Sequence, residues 1–224
     1  MTSEILFGVL FLLVGYGFGC FSTGYFVGRM NGRDIRAEGS GNIGTTNALR
    51  TMGAKGGGIT FAGDLLKAFI PTLAVRFIFC ANMGYEADLT YLMTLLVGLG
   101  VVIGHNFPFY LDFKGGKGIA VSAAVIVASS SDSKLGWIMI GIGLVVFILV
   151  VAVTRYVSLG SLIVVWFFPI YTIAHQRDSR YFPILLVVSL IFTALAYIKH
   201  AGNIKRLMNG TERKLGEKKV KENE

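Results

Sequence analysis

The chain has 224 residues, a formal charge of +8, and a composition 54% hydrophobic but only 15% charged. Soluble domains carry about 25% charged residues, so this balance excludes an ordinary soluble protein and points to a polytopic membrane protein forming one domain. Most of the 21 Lys and Arg fall in three loops and the C-terminal tail, the pattern of positive-inside topology and not of nucleic-acid binding.

A stretch of about 20 apolar residues crosses a hydrocarbon core of about 30 Å. By that rule the chain is predicted to be all-α, with seven transmembrane helices at 5–28, 57–80, 89–111, 117–132, 135–154, 159–175 and 181–199. The first carries Glu4 and no Lys or Arg before Arg29, so it lacks the basic leader of a signal peptide and reads as a retained span. It repeats small residues as Gly15-xxx-Gly19 and Gly24-xxx-Gly28, and the third has Gly100-xxx-Gly104, which predicts close helix packing. Cys20 and Cys80 sit in apolar runs without a CxxC and read as small buried hydrophobes. Asp64 and Lys67, at i and i+3 in the second span, read as a neutralising ion pair.

Charge sets the orientation. The loop 29–56 holds Arg29, Arg33, Arg36, Arg50 and Lys55, and the segment from Lys199 onward is basic. Both belong to the cytoplasm, which requires an even number of crossings between them. The fourth span is therefore kept, although its apolar heart, Ile119 to Ala128, is short. The N-terminus is then outside and the C-terminus cytoplasmic. Residues 1–212 form the seven-helix domain, and 213–224 form a charged tail expected to be disordered.

Four polar clusters fall on the cytoplasmic face. The first is Gly39-Ser40-Gly41-Asn42-Ile43-Gly44-Thr45-Thr46-Asn47-Ala48-Leu49-Arg50. Its glycines expose N–H groups, its Ser, Thr and Asn add neutral donors, and Arg50 adds a forked cation, the chemistry of a phosphate seat. The second runs from His105-Asn106-Phe107-Pro108 to Phe113-Lys114-Gly115-Gly116-Lys117-Gly118, a glycine-rich loop opening a helix but not a Walker A sequence. The third is Arg155-Tyr156-Val157-Ser158-Leu159-Gly160-Ser161, whose hydroxyls also suit a helix N-cap. The fourth is His200-Ala201-Gly202-Asn203-Ile204-Lys205-Arg206 through Gly210-Thr211-Glu212; His200 and Asn203 share a face if the helix continues. Each cluster alone has an ordinary structural reading, and their convergence on one membrane face favours function. His105 and Asp112 form His-x6-Asp and not the acyltransferase His-x4-Asp, there is no Gly-x-Ser-x-Gly elbow, and the three His lack metal-ligand spacing. No metal or cofactor is expected. A transporter would line a midplane path with polar groups, whereas here they crowd one face.

Together these stretches resemble the bacterial acyl-phosphate-dependent glycerol-3-phosphate acyltransferases, the PlsY family. The family's Gly-Ser-Gly-Asn-Pro-Gly-Ala-Thr-Asn-x-x-Arg reads GSGNIGTTNALR from Gly39 to Arg50. Its His-x-Phe-Pro and Phe-Lys-Gly-Gly-Lys-Gly appear at His105 and Phe113, Arg-x-x-Ser at Arg155 and Ser158, and HAGNIKRLMNGTE at His200. Ile43 replaces the usual Pro, Thr45 replaces Ala, and Val121 stands where Thr is frequent. The resemblance implies transfer of a fatty acyl group from acyl phosphate to the 1-hydroxyl of sn-glycerol 3-phosphate, giving lysophosphatidate and inorganic phosphate for phospholipid synthesis. It implies that Ser40, Arg50 and Lys117 hold glycerol 3-phosphate, with Asn42, Thr46 and Asn47 shaping that site. His200, Asn203 and Ser158 would surround the reacting acyl phosphate, with either His200 or substrate phosphate as the base. The expected setting is the bacterial cytoplasmic membrane with the site facing the cytoplasm, membrane lipid around it, and a functional link to the enzyme that makes acyl phosphate.

Overall fold

The computed structural model describes residues 2–217, and the expected tail residues 218–224 lie outside them. The described residues are helical and contain no strand: α1 (Thr2–Cys20), α2 (Thr23–Met30), α3 (Thr45–Ala74), α4 (Ala87–Asn106), α5 (Ile119–Ser129), α6 (Lys134–Thr154), α7 (Val157–Val164), α8 (Phe167–Gln176), α9 (Phe182–Lys199) and α10 (Ala201–Met208). A π-helical stretch, Val75–Cys80, continues α3 a few residues after Pro71, whose missing N–H breaks the regular ladder.

Among the described residues, five segments are long and apolar enough to cross a bilayer: Ser3–Met30, Ala87–Leu111, Lys134–Thr154, Val157–Gln176 and Phe182–Lys199. Two of the seven expected spans fall short. The 57–80 region is long but contains Asp64, Lys67 and Arg76. The 117–132 region contains only the 11-residue α5, about 16 Å of helix, half the hydrocarbon thickness. Helix α5 begins at Ile119, so Lys117 belongs to the preceding loop.

The Gly15/Gly19 and Gly100/Gly104 repeats perform the helix packing expected of them, whereas Gly24 and Gly28 lie on α2 and face the loop carbonyls of Ile43 and Arg33. A Cβ built on Gly15 would lie 2.0 Å from the Val97 carbonyl oxygen, and one on Gly19 2.1 Å from that of Val101. In return, Gly100 faces the Leu12 carbonyl and Gly104 that of Tyr16. Contacts advance along both helices together, so α1 and α4 run parallel with their backbones touching. Around this pair Leu95, Val101, Val125 and Leu185 close the core. Gly100→Val is expected to cost about 3 kcal/mol or more, because its new atoms meet backbone that cannot yield. Thermal melting in detergent checks this against Gly17→Ala, where no atom lies within 4 Å and little change is expected.

Arg76, on the π stretch, ties the far end of α5 in place. Its guanidinium donates to the carbonyls of Ala128 and Ser129 and pairs with Asp132 at 2.8 Å. A cation thus satisfies the last carbonyls of a helix too short to be anchored by its own length.

Candidate active site

The loop from Asn31 to Gly44 is held by Asn47, on the first turn of α3. Asn47 Oδ1 accepts from the Ser40 N–H at 2.8 Å, and its Nδ2 donates to the carbonyls of Ile35 and Glu38. Gly39 turns beneath it at φ +59°, where a Cβ would meet Asn47 Oδ1 at 2.2 Å. Asn47 is therefore the clamp that shapes the loop. Ile43, standing where the family has Pro, is buried with Ile35, Ala48 and Leu111, so apolar packing fixes what a proline ring would otherwise fix.

The second glycine loop is sewn onto the end of α4. The Gly115 and Gly116 N–H groups donate to the carbonyls of Asn106 and His105 at 3.1 and 3.0 Å, and Lys199 Nζ also donates to Asn106. Asn42 joins the two loops: its Oδ1 accepts from Gly44 N–H and its Nδ2 donates to the Gly115 carbonyl.

On the opposite wall, Glu212 gathers the third and fourth clusters. Its Oε1 accepts from Ser158 Oγ at 2.8 Å and Asn203 Nδ2 at 2.6 Å, and its Oε2 pairs with Arg206 Nε at 2.7 Å. Burial opposes the charge on Glu212, yet these donors outweigh it and hold the carboxyl below the ordinary glutamate range. Ser158 is thus not an N-cap, and α7 starts without a side-chain cap. His200 stands at the break between α9 and α10, with Asn203 in the first turn of α10. Arg213 reaches across to the Gly39 carbonyl, the Leu215 N–H donates to the Arg155 carbonyl, and the Arg155 guanidinium donates back to the Leu215 carbonyl, so residues 213–217 lie against the bundle.

All nine sequence-predicted residues line one cleft of about 860 Å³: Ser40, Asn42, Thr46, Asn47, Arg50, Lys117, Ser158, His200 and Asn203. Its head is polar. Its tail runs between α5, α6, α7 and α8 past Ile126, Ile140, Gly143, Phe147 and Phe168. Among the described residues, the side chains of Ser40, Thr46, Arg50 and Lys117 have no hydrogen-bond partner and present their donors to the head. Burial pushes the Lys117 ammonium down to about 8; Glu212 opposes that shift, and Arg206, Arg50 and Lys199 reinforce it. A neighbouring carboxylate and three cations give this end of the cleft a net positive field.

His200 presents a lone pair. Its Nδ1 lies 2.7 Å from the Ala196 carbonyl, which can only accept, so Nδ1 carries the hydrogen and Nε2 is bare. Burial and the Lys117 charge push its pKa to about 4, so the ring is neutral at physiological pH.

Sequence reasoning did not single out Glu212 as the hub, although it lay inside a quoted motif. An acidic residue among cations reads as a surface charge until the chain turn at Gly210 brings it back over Asn203. The expected Asp64–Lys67 pair is present at 2.9 Å, with His105 as an unforeseen third member.

An amphiphilic cleft with a cationic head and an apolar tail, set in a helical bundle, defines a multi-pass membrane protein fitted to a phosphorylated, lipid-like ligand. A family profile described as glycerol-3-phosphate acyltransferase matches residues 9–210. The chain is 42% identical to a glycerol-3-phosphate acyltransferase of Clostridioides difficile, covering 96% of this chain and 99% of that one. It is 40% identical to one from Geobacter sulfurreducens over 89% and 93%. The crystal structure of PlsY (YgiH), an integral membrane glycerol 3-phosphate acyltransferase, in its glycerol 3-phosphate form, superposes with a TM-score of 0.76 at 30% identity, covering 93% and 96%. The chain belongs to the glycerol-3-phosphate acyltransferase family.

Proposed function

We propose that this protein transfers a fatty acyl group from acyl phosphate to the 1-hydroxyl of sn-glycerol 3-phosphate. Lysophosphatidate and inorganic phosphate are the products. The observation that carries this reading is the single cleft that joins unpartnered cations to an apolar channel. Ser40, Arg50 and Lys117 hold the glycerol 3-phosphate headgroup, with Thr46 and the helix N-terminus at Gly44 beside them. Asn42 and Asn47 keep the two loops in register. Ser158 and Asn203, fixed by Glu212, bound the reacting centre beside His200.

The hydroxyl attacks the acyl carbonyl, the bond from that carbon to the phosphate oxygen breaks, and phosphate leaves. Acyl phosphate is an activated anhydride, so no protein nucleophile is needed, and the head cations stabilise the oxyanion and the departing phosphate. His200 Nε2 accepts a hydrogen bond from the attacking hydroxyl and orients it. With a pKa near 4, His200 is a weak proton acceptor, and substrate phosphate is the stronger base for the final transfer.

The seven-crossing arrangement belongs to the same reading, with the N-terminus outside, the C-terminus cytoplasmic, and the site facing the cytoplasm of a bacterial inner membrane. Parallel α1 and α4 require the chain to return between them, and α3 with its π continuation is the segment available for that return. Residues 1–212 act as one domain.

The test is purified protein in detergent or lipid with acyl phosphate and glycerol 3-phosphate. Acceptor-dependent phosphate and lysophosphatidate are expected one for one; product from acyl-CoA alone would contradict the donor assignment. The channel also sets chain length. A Cβ on Gly143 meets Phe167 at 3.7 Å, ordinary contact, so a larger side chain there occupies channel space and not packed core. Gly143→Leu is expected to lower kcat/KM for an 18-carbon acyl phosphate by about tenfold while leaving a 10-carbon donor near wild type. Donor chain-length profiles check it, and equal loss for both lengths would place the acyl chain elsewhere.

A further inference from the structure

Asp64, Lys67 and His105 are each at least nine-tenths buried beneath the head of the cleft. Lys67 Nζ lies 2.9 Å from Asp64 Oδ1, 2.8 Å from the Phe21 carbonyl and 2.8 Å from His105 Nδ1. An ammonium has three hydrogens and accepts none, and here three acceptors surround it. His105 Nδ1 must therefore be the lone-pair nitrogen, which puts the ring hydrogen on Nε2. Asp64 balances the Lys67 charge, and the ammonium at Nδ1 holds the imidazole as one tautomer.

That Nε2–H has no acceptor among the described residues. The ring tip abuts Gly116, where a Cβ would sit 2.1 Å from Nε2, and His105 and Asp64 both line the cleft with Lys117 and Arg50. Since His105 lines the cleft, this N–H is open to an acceptor that enters there. His200 is held by the Ala196 carbonyl in the opposite tautomer, with a bare Nε2. The cleft thus contains one histidine built to accept and one built to donate.

We infer that His105 is a substrate-binding residue whose Nε2–H donates to a phosphoryl oxygen seated against the Gly115–Gly116–Lys117 loop. Lys67 and Asp64 are positioning residues that fix its tautomer. The inference rests on the acyltransferase reading for which phosphate compounds enter, but the donor itself is a property of the buried triad. Both substrates carry the required chemistry, a phosphoryl dianion.

The experiment compares His105→Asn with His105→Gln in purified, membrane-embedded enzyme, measuring KM separately for glycerol 3-phosphate and acyl phosphate. Asn places an oxygen where Nδ1 was, keeping the Lys67 acceptor, but has no group at the Nε2 position. Its KM for at least one substrate is expected to rise about tenfold or more, with a melting temperature near wild type; which substrate responds identifies the phosphate. Gln, with an amide near the Nε2 position, is expected to return that KM to within about threefold of wild type. Wild-type KM and kcat for both substrates in the Asn variant would overturn the assignment. Independently of folding in the variants, ¹⁵N-histidine NMR of the wild-type protein is expected to show an Nε2–H ring that shifts on adding glycerol 3-phosphate or inorganic phosphate. An Nδ1–H ring at His105, or no shift with either anion, would overturn it as well. The NMR arm stands even if the enzyme assay of the wild type fails, so failure of this inference and failure of the acyltransferase reading are told apart.

Discussion

Lys117→Ala is expected to lower kcat/KM by about 10³-fold or more, because it removes the most buried cation from the head of the cleft. The ammonium is flanked by Arg50, Lys199 and Arg206, so its charge is held against both desolvation and repulsion. Burial and the neighbouring cations disfavour that charge when the cleft is empty, and an entering dianion relieves it, so its loss removes the charge that holds the glycerol 3-phosphate headgroup. The sign of the pH effect follows. Lys117 is charged below about 8 and neutral above it in the free enzyme, so kcat/KM should fall as pH rises through about 8. His200, pushed down to about 4, should impose no limb near neutrality. Steady-state kinetics across pH check both; a flat profile through pH 8 to 9 would remove Lys117 from the binding role.

Glu212→Ala is expected to be the second most damaging change, with kcat/KM falling about 10²-fold or more and a lower melting temperature. One carboxylate holds Ser158, Asn203 and Arg206, and its removal leaves these donors without the acceptor that orients them. It also frees the chain turn at Gly210 that carries Arg213 to the Gly39 loop. Glu212 touches protein donors, so its effect passes through the groups it holds. Glu212→Gln keeps one acceptor oxygen and should retain more activity than Ala. Kinetics with thermal melting on both variants check the order, and equal activity in Ala and wild type would exclude the hub.

How much of this was legible in the sequence follows from the range of the forces involved. The glycine loops, Arg50, Lys117, His200 and Asn203 stood out as candidates because a phosphate seat would need donors and cations in short local runs, and the fold brings all nine expected residues to one cleft. The Gly15/Gly19 and Gly100/Gly104 repeats were readable because backbone contact demands glycine at helical spacing. Short α5 was harder. Hydropathy marks apolar residues but not where a helix begins, and the Gly115–Gly118 loop consumes the length that a span from 117 would need. The role of Arg76 has no local signal, because its partners, Ser129 and Asp132, are distant in sequence. Asp64 and Lys67 were legible as a pair, since i and i+3 is local; His105, thirty-eight residues beyond Lys67, was not.

The most direct measurement of the central claim is single-turnover phosphate release, with enzyme in excess over acyl phosphate, in the presence and absence of glycerol 3-phosphate. Direct transfer in one cleft requires both substrates together. With acceptor, one phosphate and one lysophosphatidate per acyl phosphate are expected, and without it no burst. A stoichiometric burst of phosphate without acceptor would reveal an acyl-enzyme and contradict direct attack, while no lysophosphatidate from folded enzyme supplied with both substrates would contradict the acyltransferase itself.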